Sequence, residues 1–267
     1  MCTVTVVPHL AGPAPRSLGS AQAESTPIIR LVCNRDELRT RPKALPPLQR
    51  MCGEHAAIMP IDPTSDGTWI GANDTGLLVT LLNRHRSEDT SPSAARKLSM
   101  RSRGEIIPGL LSHSTLADAL ASAASLDPQA FQPFRLLLLC GQSISDVVSN
   151  GRTIEIGAIQ AIDCPLLFTS SGLGDERVES PRCGLFEGFF AKDADPATIQ
   201  DAFHAHTWPD RPHLSVLMSR EEARTVSRTV ASVTRDAITL SYEPIGGDAP
   251  EDIQVARLPI ERVAACR

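Results

Sequence analysis

The sequence predicts an α+β protein, a four-layer α/β/β/α sandwich of two antiparallel sheets flanked by helices. Three observations lead there. Strand-like segments are joined by tight turns, which favour antiparallel pairing. Leu77 to Leu82 is apolar at nearly every position and so needs cover on both faces. The periodic segments run strands, helices, strands, helices, strands, an order that two stacked sheets with outer helices satisfy. At 267 residues and 42% hydrophobic content the chain can bury the core of one large domain. Only 4% is aromatic, so that core must be mainly Leu, Ile, Val and Ala.

Cys2 to Val7 alternates Thr and Val and reads as a half-buried strand stopped by Pro8. Residues 11 to 27 turn to Ala, Gly, Pro and Ser, the composition of a long hairpin loop. Ile28 to Cys33 is a second strand, and antiparallel pairing with the first brings Asn34-Arg35-Asp36-Glu37 beside Cys2. Arg41 to Pro63 is proline-rich and is expected to be irregular. Thr68 to Asn73 and Leu77 to Asn83 form a hairpin about Asp74-Thr75-Gly76. Arg84 to Ser99 reads as a polar loop, followed by helices over Gly104 to Leu111 and Thr115 to Leu126, the second capped by Thr115.

Phe134 to Cys140, Ser145 to Ser149, Thr153 to Ile159 and Leu166 to Ser170 are short strands between Gly, Asn and Pro turns. Helices are expected over Glu176 to Phe190 and Pro196 to His206, with Asp195 capping the latter. Leu214 to Met218, Arg224 to Val233, Ala237 to Glu243 and Ile253 to Leu258 close the chain as strands.

Composition narrows the function classes. A net charge of -5 with both signs interspersed, and few aromatics to stack on bases, argue against nucleic acid as partner. The longest greasy stretch is strand-sized, so no membrane span is expected. Thr3, Thr5, Pro8 and His9 interrupt any export signal, and a cytoplasmic location is expected. Seven dispersed cysteines without a C-x-x-C pair read as reduced thiols, and no metal site emerges. His204 and His206 stand two apart, a spacing that does not share a helix face.

Cys2 is the chemically interesting residue. If the residue before it is removed, thiol and α-amine share one carbon, a nucleophile with its own base. Taken alone it reads first as a small apolar residue opening a strand, and Asn34 to Glu37 read first as a charged turn with Asn34 or Asp36 as cap.

Taken together, Met1-Cys2-Thr3, Asn34-Arg35-Asp36-Glu37 with Arg41-Pro42, Gly67-Thr68-Trp69-Ile70-Gly71, Gly76-Leu77, Asn83 and Arg103-Gly104-Glu105 resemble the NRDE family, of the transport and Golgi organisation 2 type. Thr169 to Leu173, Glu179-Ser180-Pro181-Arg182 and Arg224 to Ser227 resemble it less specifically. The resemblance implies an N-terminal-nucleophile hydrolase-like fold, distantly similar to cysteine acylases of penicillin V and conjugated bile salts. It implies Cys2 as nucleophile, Asp36 as the carboxylate holding the amine, and Asn83 as oxyanion donor. Asn34, Arg35, Glu37, Arg41, Trp69 and Asn73 are then substrate-binding or supporting residues. Ser170 or Ser171 stands where the acylases carry a second asparagine, and Arg224 and Arg228 are candidates for their downstream arginine.

The reaction so implied is hydrolysis or transfer of the acyl group of a small non-peptide amide or thioester through acyl-Cys2, with no cofactor. A model α-amine titrates near 7.7 to 8 and a thiol near 8.5, so a proton passes between them at little cost. The alternative implication is a non-enzymatic protein of haem trafficking or lipid homeostasis, in which the Cys2 thiolate ligates haem.

Overall fold

The computed structural model describes residues 2–8, 27–87, 100–246 and 251–261. The expected loop over residues 11–27 lies, apart from Pro27, outside the described residues, as does most of the polar segment before the first helix. The strands are β1 Cys2–Pro8, β2 Ile29–Leu38, β3 Leu45–Cys52, β4 His55–Ile61, β5 Ile70–Asn73, β6 Leu77–Asn83, β7 Phe134–Cys140, β8 Ser143–Ser149, β9 Ile154–Ile156, β10 Gln160–Ala161, β11 Leu166–Thr169, β12 Ala223–Val233, β13 Ala237–Pro244 and β14 Gln254–Pro259. The helices are α1 Ile106–Leu110, α2 Leu116–Ala124, α3 Asp175–Phe190 and α4 Pro196–His204.

One sheet runs β11-β1-β2-β12-β13-β14 and the other β10-β8-β7-β6-β5-β4-β3, with β9 added to β8. The strand pairs are antiparallel throughout. The inner faces meet in a core that includes Val4, Val6, Leu31, Ile58, Ile70, Leu78, Leu137 and Leu240. Alternate residues of β6 and β7, such as Leu77, Val79, Leu136 and Leu138, instead meet α1 and α2 in a second core. Strand β6 is therefore apolar on both faces because both faces are covered. Within α2 the buried Leu116, Ala119, Leu120 and Ala123 form one stripe, started by the Thr115 hydroxyl accepting the Asp118 N–H.

Two expectations fail. Residues 41–63 hold a hairpin, β3 and β4, because Pro46 and Pro47 sit on an edge strand at an irregularity between Leu45 and Leu48, where a missing N–H is tolerated. Leu214 to Met218 form turns instead of a strand. Val216 and Met218 are buried, but the carbonyls of Leu214, Ser215 and Val216 accept hydrogen bonds from side chains, Arg182 taking the first two and Asn34 the third.

Candidate active site

The register of the first hairpin sets the site. Cys2 pairs with Arg35 and Thr3 with Asn34, so the four residues Asn34 to Glu37 alternate across β2. Asn34 turns to the helices and donates to the His204 and Val216 carbonyls at 2.9 and 3.0 Å. Asp36 follows it, accepting from the Thr225 hydroxyl at 2.6 Å. Arg35 turns the other way, donating to Asp62 at 2.7 Å and stacking over Trp69 at 4.2 Å. Glu37 lies 3.6 Å from both Arg35 and Arg41, and Arg41 also binds Asp62 at 2.8 Å.

Arg35, Asp36, Glu37, Arg41 and Asp62 wall a cleft of about 720 Å³ that is also lined by Cys2, Trp69, Asn83 and Arg103. The cleft lies where the end of β1 faces β6 across the sandwich. Cys2 is buried and its thiol contacts Cys33, one of its neighbours on the inner face. The Cys33 hydrogen bond lowers the Cys2 thiol to about 7 against the opposing effect of burial. Cys33 itself, donating that bond and fully buried, is pushed well above the ordinary thiol range. The pair therefore ionises at Cys2.

The backbone nitrogen of Cys2 donates to the Ser170 hydroxyl at 3.1 Å, and the Ser170 N–H returns to the Cys2 carbonyl at 2.9 Å. Ser170 is thus committed to the nitrogen of Cys2 and is not aimed into the cleft. Ser171 caps the following turn, accepting from the Leu173 N–H and donating its own N–H to Asp175. Burial raises the Asp36 carboxyl, while Arg182 and the amino-terminal charge draw it back. Arg182 is itself buried and spans the layer behind β1, donating to the hydroxyls of Thr3 and Thr169 and to two carbonyls.

Asn83 lines the cleft with no side-chain hydrogen bond among the described residues, leaving its amide available. Asn73 is placed at the far end of the same hairpin. Its amide donates to the Leu111 and His113 carbonyls and its oxygen accepts from Thr75 and Leu77, so it braces the turn and takes no part in the cleft. Arg228 pairs with Glu243 at 2.6 Å, and neither it nor Arg224 reaches the cleft. Cys140 is disulfide-bonded, so the expectation of seven reduced thiols fails there.

Four residues of the site were given no role from the sequence. Cys33 was visible only once the register was drawn, two positions from Arg35 on the same face. Asp62 sits at the end of the unforeseen β4 hairpin. Arg103 lines the cleft, and burial lowers its guanidinium to about 10 although Glu37 and Cys2 favour the charge. Arg182 lies far along the chain, in a segment whose resemblance is less specific and implies no role for it.

A family model described as Transport and Golgi organisation 2 matches residues 20–173. No curated protein is matched. Among solved structures the chain is similar to a Caenorhabditis elegans N-acylethanolamine-hydrolyzing acid amidase ortholog, with TM-score 0.54, 13% identity, and 86% of this chain and 92% of that one covered. It is also similar to a C2A mutant of the conjugated bile acid hydrolase from Clostridium perfringens, with TM-score 0.51, 10% identity, and 96% and 92% covered. At these identities the likeness is one of fold.

Proposed function

The chain belongs to the Transport and Golgi organisation 2 family, and we propose that it acts as an N-terminal-nucleophile amidohydrolase or acyltransferase on a small non-peptide amide or thioester. The observation that carries this reading is the Cys2 thiol, ionised more readily than its neighbour Cys33, at the mouth of a polar cleft with its nitrogen on Ser170.

Once the bond before Cys2 is cut, the freed α-amine is held by the Ser170 hydroxyl and faces the Asp36 carboxylate. The amine takes the thiol proton, and the thiolate attacks the substrate carbonyl. Asn83 donates to the oxygen that becomes negative, a contribution of about 3 kcal/mol for a well-placed donor. Arg103 supplies positive charge on the same side. The tetrahedral intermediate collapses as the ammonium returns its proton to the leaving nitrogen or sulfur, giving acyl-Cys2. Water, deprotonated by the amine, then releases the acid; an acceptor amine in its place gives transfer.

Haem ligation by Cys2 is the weaker reading. A macrocycle needs an apolar slot, whereas Arg35, Glu37, Arg41, Asp62 and Arg103 present charge to this cleft, and the Cys2 sulfur is engaged by Cys33.

The test is direct. Intact mass should begin at Cys2, and an electrophilic acyl probe should label that residue and lose at least a hundredfold in rate in Cys2→Ala. Retention of a preceding residue, or unchanged labelling in the variant, defeats the reading.

A further inference from the structure

A second space of about 210 Å³ opens beside the cleft and shares Arg35, Glu37 and Arg41 with it as a common wall. Its remaining walls combine apolar Val226, Tyr242 and Pro244 with the cations Arg39, Lys43 and Arg224. The charges do not cancel. Glu37 is matched by Arg35 and Arg41, and Glu251 at the rim is matched by Lys43. Arg39 binds only neutral groups, the Arg220 carbonyl at 3.0 Å and the Ser219 hydroxyl at 2.8 Å.

Arg224 is a second cation that no acid offsets. Its guanidinium has no hydrogen bond or ion pair among the described residues, and its Nε is buried without a partner. Arg224 thus lines the pocket uncompensated by any anion among the described residues, and because its Nε is out of reach of solvent, an entering ligand would pair with the terminal nitrogens of its guanidinium. The backbone makes room for it at Gly246, where φ is +81° and an added Cβ would stand 2.4 Å from Arg224 Nη1. Only glycine leaves that guanidinium its place.

We propose that this pocket receives an anionic group of the substrate, a carboxylate, sulfonate or phosphate, while the scissile carbonyl lies over Cys2. The inference rests on the amidohydrolase reading and narrows its substrate class to amides or thioesters with an anionic end. Cys2 pairs with Arg35 and Arg224 with Glu37 on the two sides of β2. Strand spacing and rise then put the two Cα atoms roughly 12 Å apart. Arginine reach shortens the gap to a span that a few methylenes cover.

The experiment uses the Cys2→Ala chain, which binds without turnover, in calorimetric titrations. Two anionic probes carry their charge on opposite sides of the amide, adipic acid monoanilide on the acyl side and N-hexanoylglycine on the amine side. Their neutral counterparts are hexananilide and N-hexanoylethanolamine. At least one anionic probe should bind at least tenfold tighter than its counterpart, and that preference should shrink as salt rises. Adding Arg224→Gln should reduce the preference about tenfold. Adding Arg228→Gln, which breaks only the pair with Glu243, should keep it. Anionic probes that bind no better than neutral ones, or a preference that survives Arg224→Gln, overturn the proposal. Turnover by the unmutated chain is measured separately, so anion preference without turnover would defeat the hydrolase reading and leave the pocket standing.

Discussion

The two outer faces of the sandwich are built from opposite materials. Over the sheet that contains β6 and β7, helices α1 and α2 contribute Ile106, Ile107, Leu110, Leu116 and Leu120, with Leu111 just after α1, to an apolar layer. Over the sheet that begins with β1, helices α3 and α4 cover Thr3, Thr5 and Asn34 with Arg182, Gln200 and His204, all buried and hydrogen-bonded. The first layer stabilises by removing apolar area from water and tolerates variation in shape. The second is directional, because each buried donor needs its own acceptor. Directional packing sits directly behind Cys2 and Asp36, and so fixes where the Cys2 nitrogen and the Asp36 carboxylate lie.

The largest effects should separate the two layers. Arg182→Met strands the Thr3 and Thr169 hydroxyls and the Leu214 and Ser215 carbonyls, and removes the charge opposite Asp36. It should cost about 3–5 kcal/mol in urea unfolding and slow probe labelling of Cys2 at least tenfold in whatever protein remains folded. Leu110→Ala in the apolar layer should cost about 2–5 kcal/mol while the labelling rate of the folded protein stays within twofold. Equal loss of labelling in both variants would erase the distinction.

A smaller effect reports the polar layer through pH. Burial, reinforced by Arg228, Arg30 and Arg182, holds His204 well below the ordinary imidazole range. The unfolded chain therefore binds the proton first. The contribution of a neutral His204 to stability is fully present above the unfolded value near 6.5 and is lost as pH falls toward the folded one, by at most about 1.4 kcal/mol per pH unit. His204→Gln should flatten the acid limb of a stability profile between pH 6.5 and 5. An unchanged slope would place the titration elsewhere.

The smallest lies on the inner face, where neither helical layer reaches. Cys33→Ala removes the hydrogen bond that lowers Cys2 to about 7, so the pH profile of alkylation should move upward toward an ordinary thiol with little change in stability. A profile still centred near 7 would assign the shift to other charges.

The same contrast explains what the sequence made legible. Apolar periodicity reports oil-filled interfaces, so α1, α2 and the doubly covered β6 could be read directly, and the short hairpins gave the antiparallel sheets. Cys2, Asp36 and Asn83 were legible through motif and strand order, and all three line one cleft. Asn73 lies outside that cleft and braces the turn of its hairpin, because an asparagine in a tight turn serves the backbone as readily as a ligand. Asp62 escaped, and Arg103 and Arg182 were quoted in motifs without a role, because a buried polar contact joins residues far apart in the chain and leaves no period to detect. The hairpin of β3 and β4 escaped because its prolines mark an edge, and composition alone cannot tell an edge strand from a loop.

Strand β2 has a further consequence for how the sheet finds its pairing. Side chains repeat every second residue, so a slip of one position against β1 would turn Asn34 to the inner face, pull the Asp36 carboxylate off the Thr225 hydroxyl and drive Arg35 and Glu37 beneath the helices. Neither pair could find its partners there: Asp62 and Trp69 would lose Arg35, and the His204 and Val216 carbonyls would lose Asn34. The irregularity between Thr225 and Ser227 pins the neighbouring strand at the same place. The four residues thus act as a two-sided key to alignment, and a chain that pairs out of step forfeits both its packing and the walls of its cleft at once.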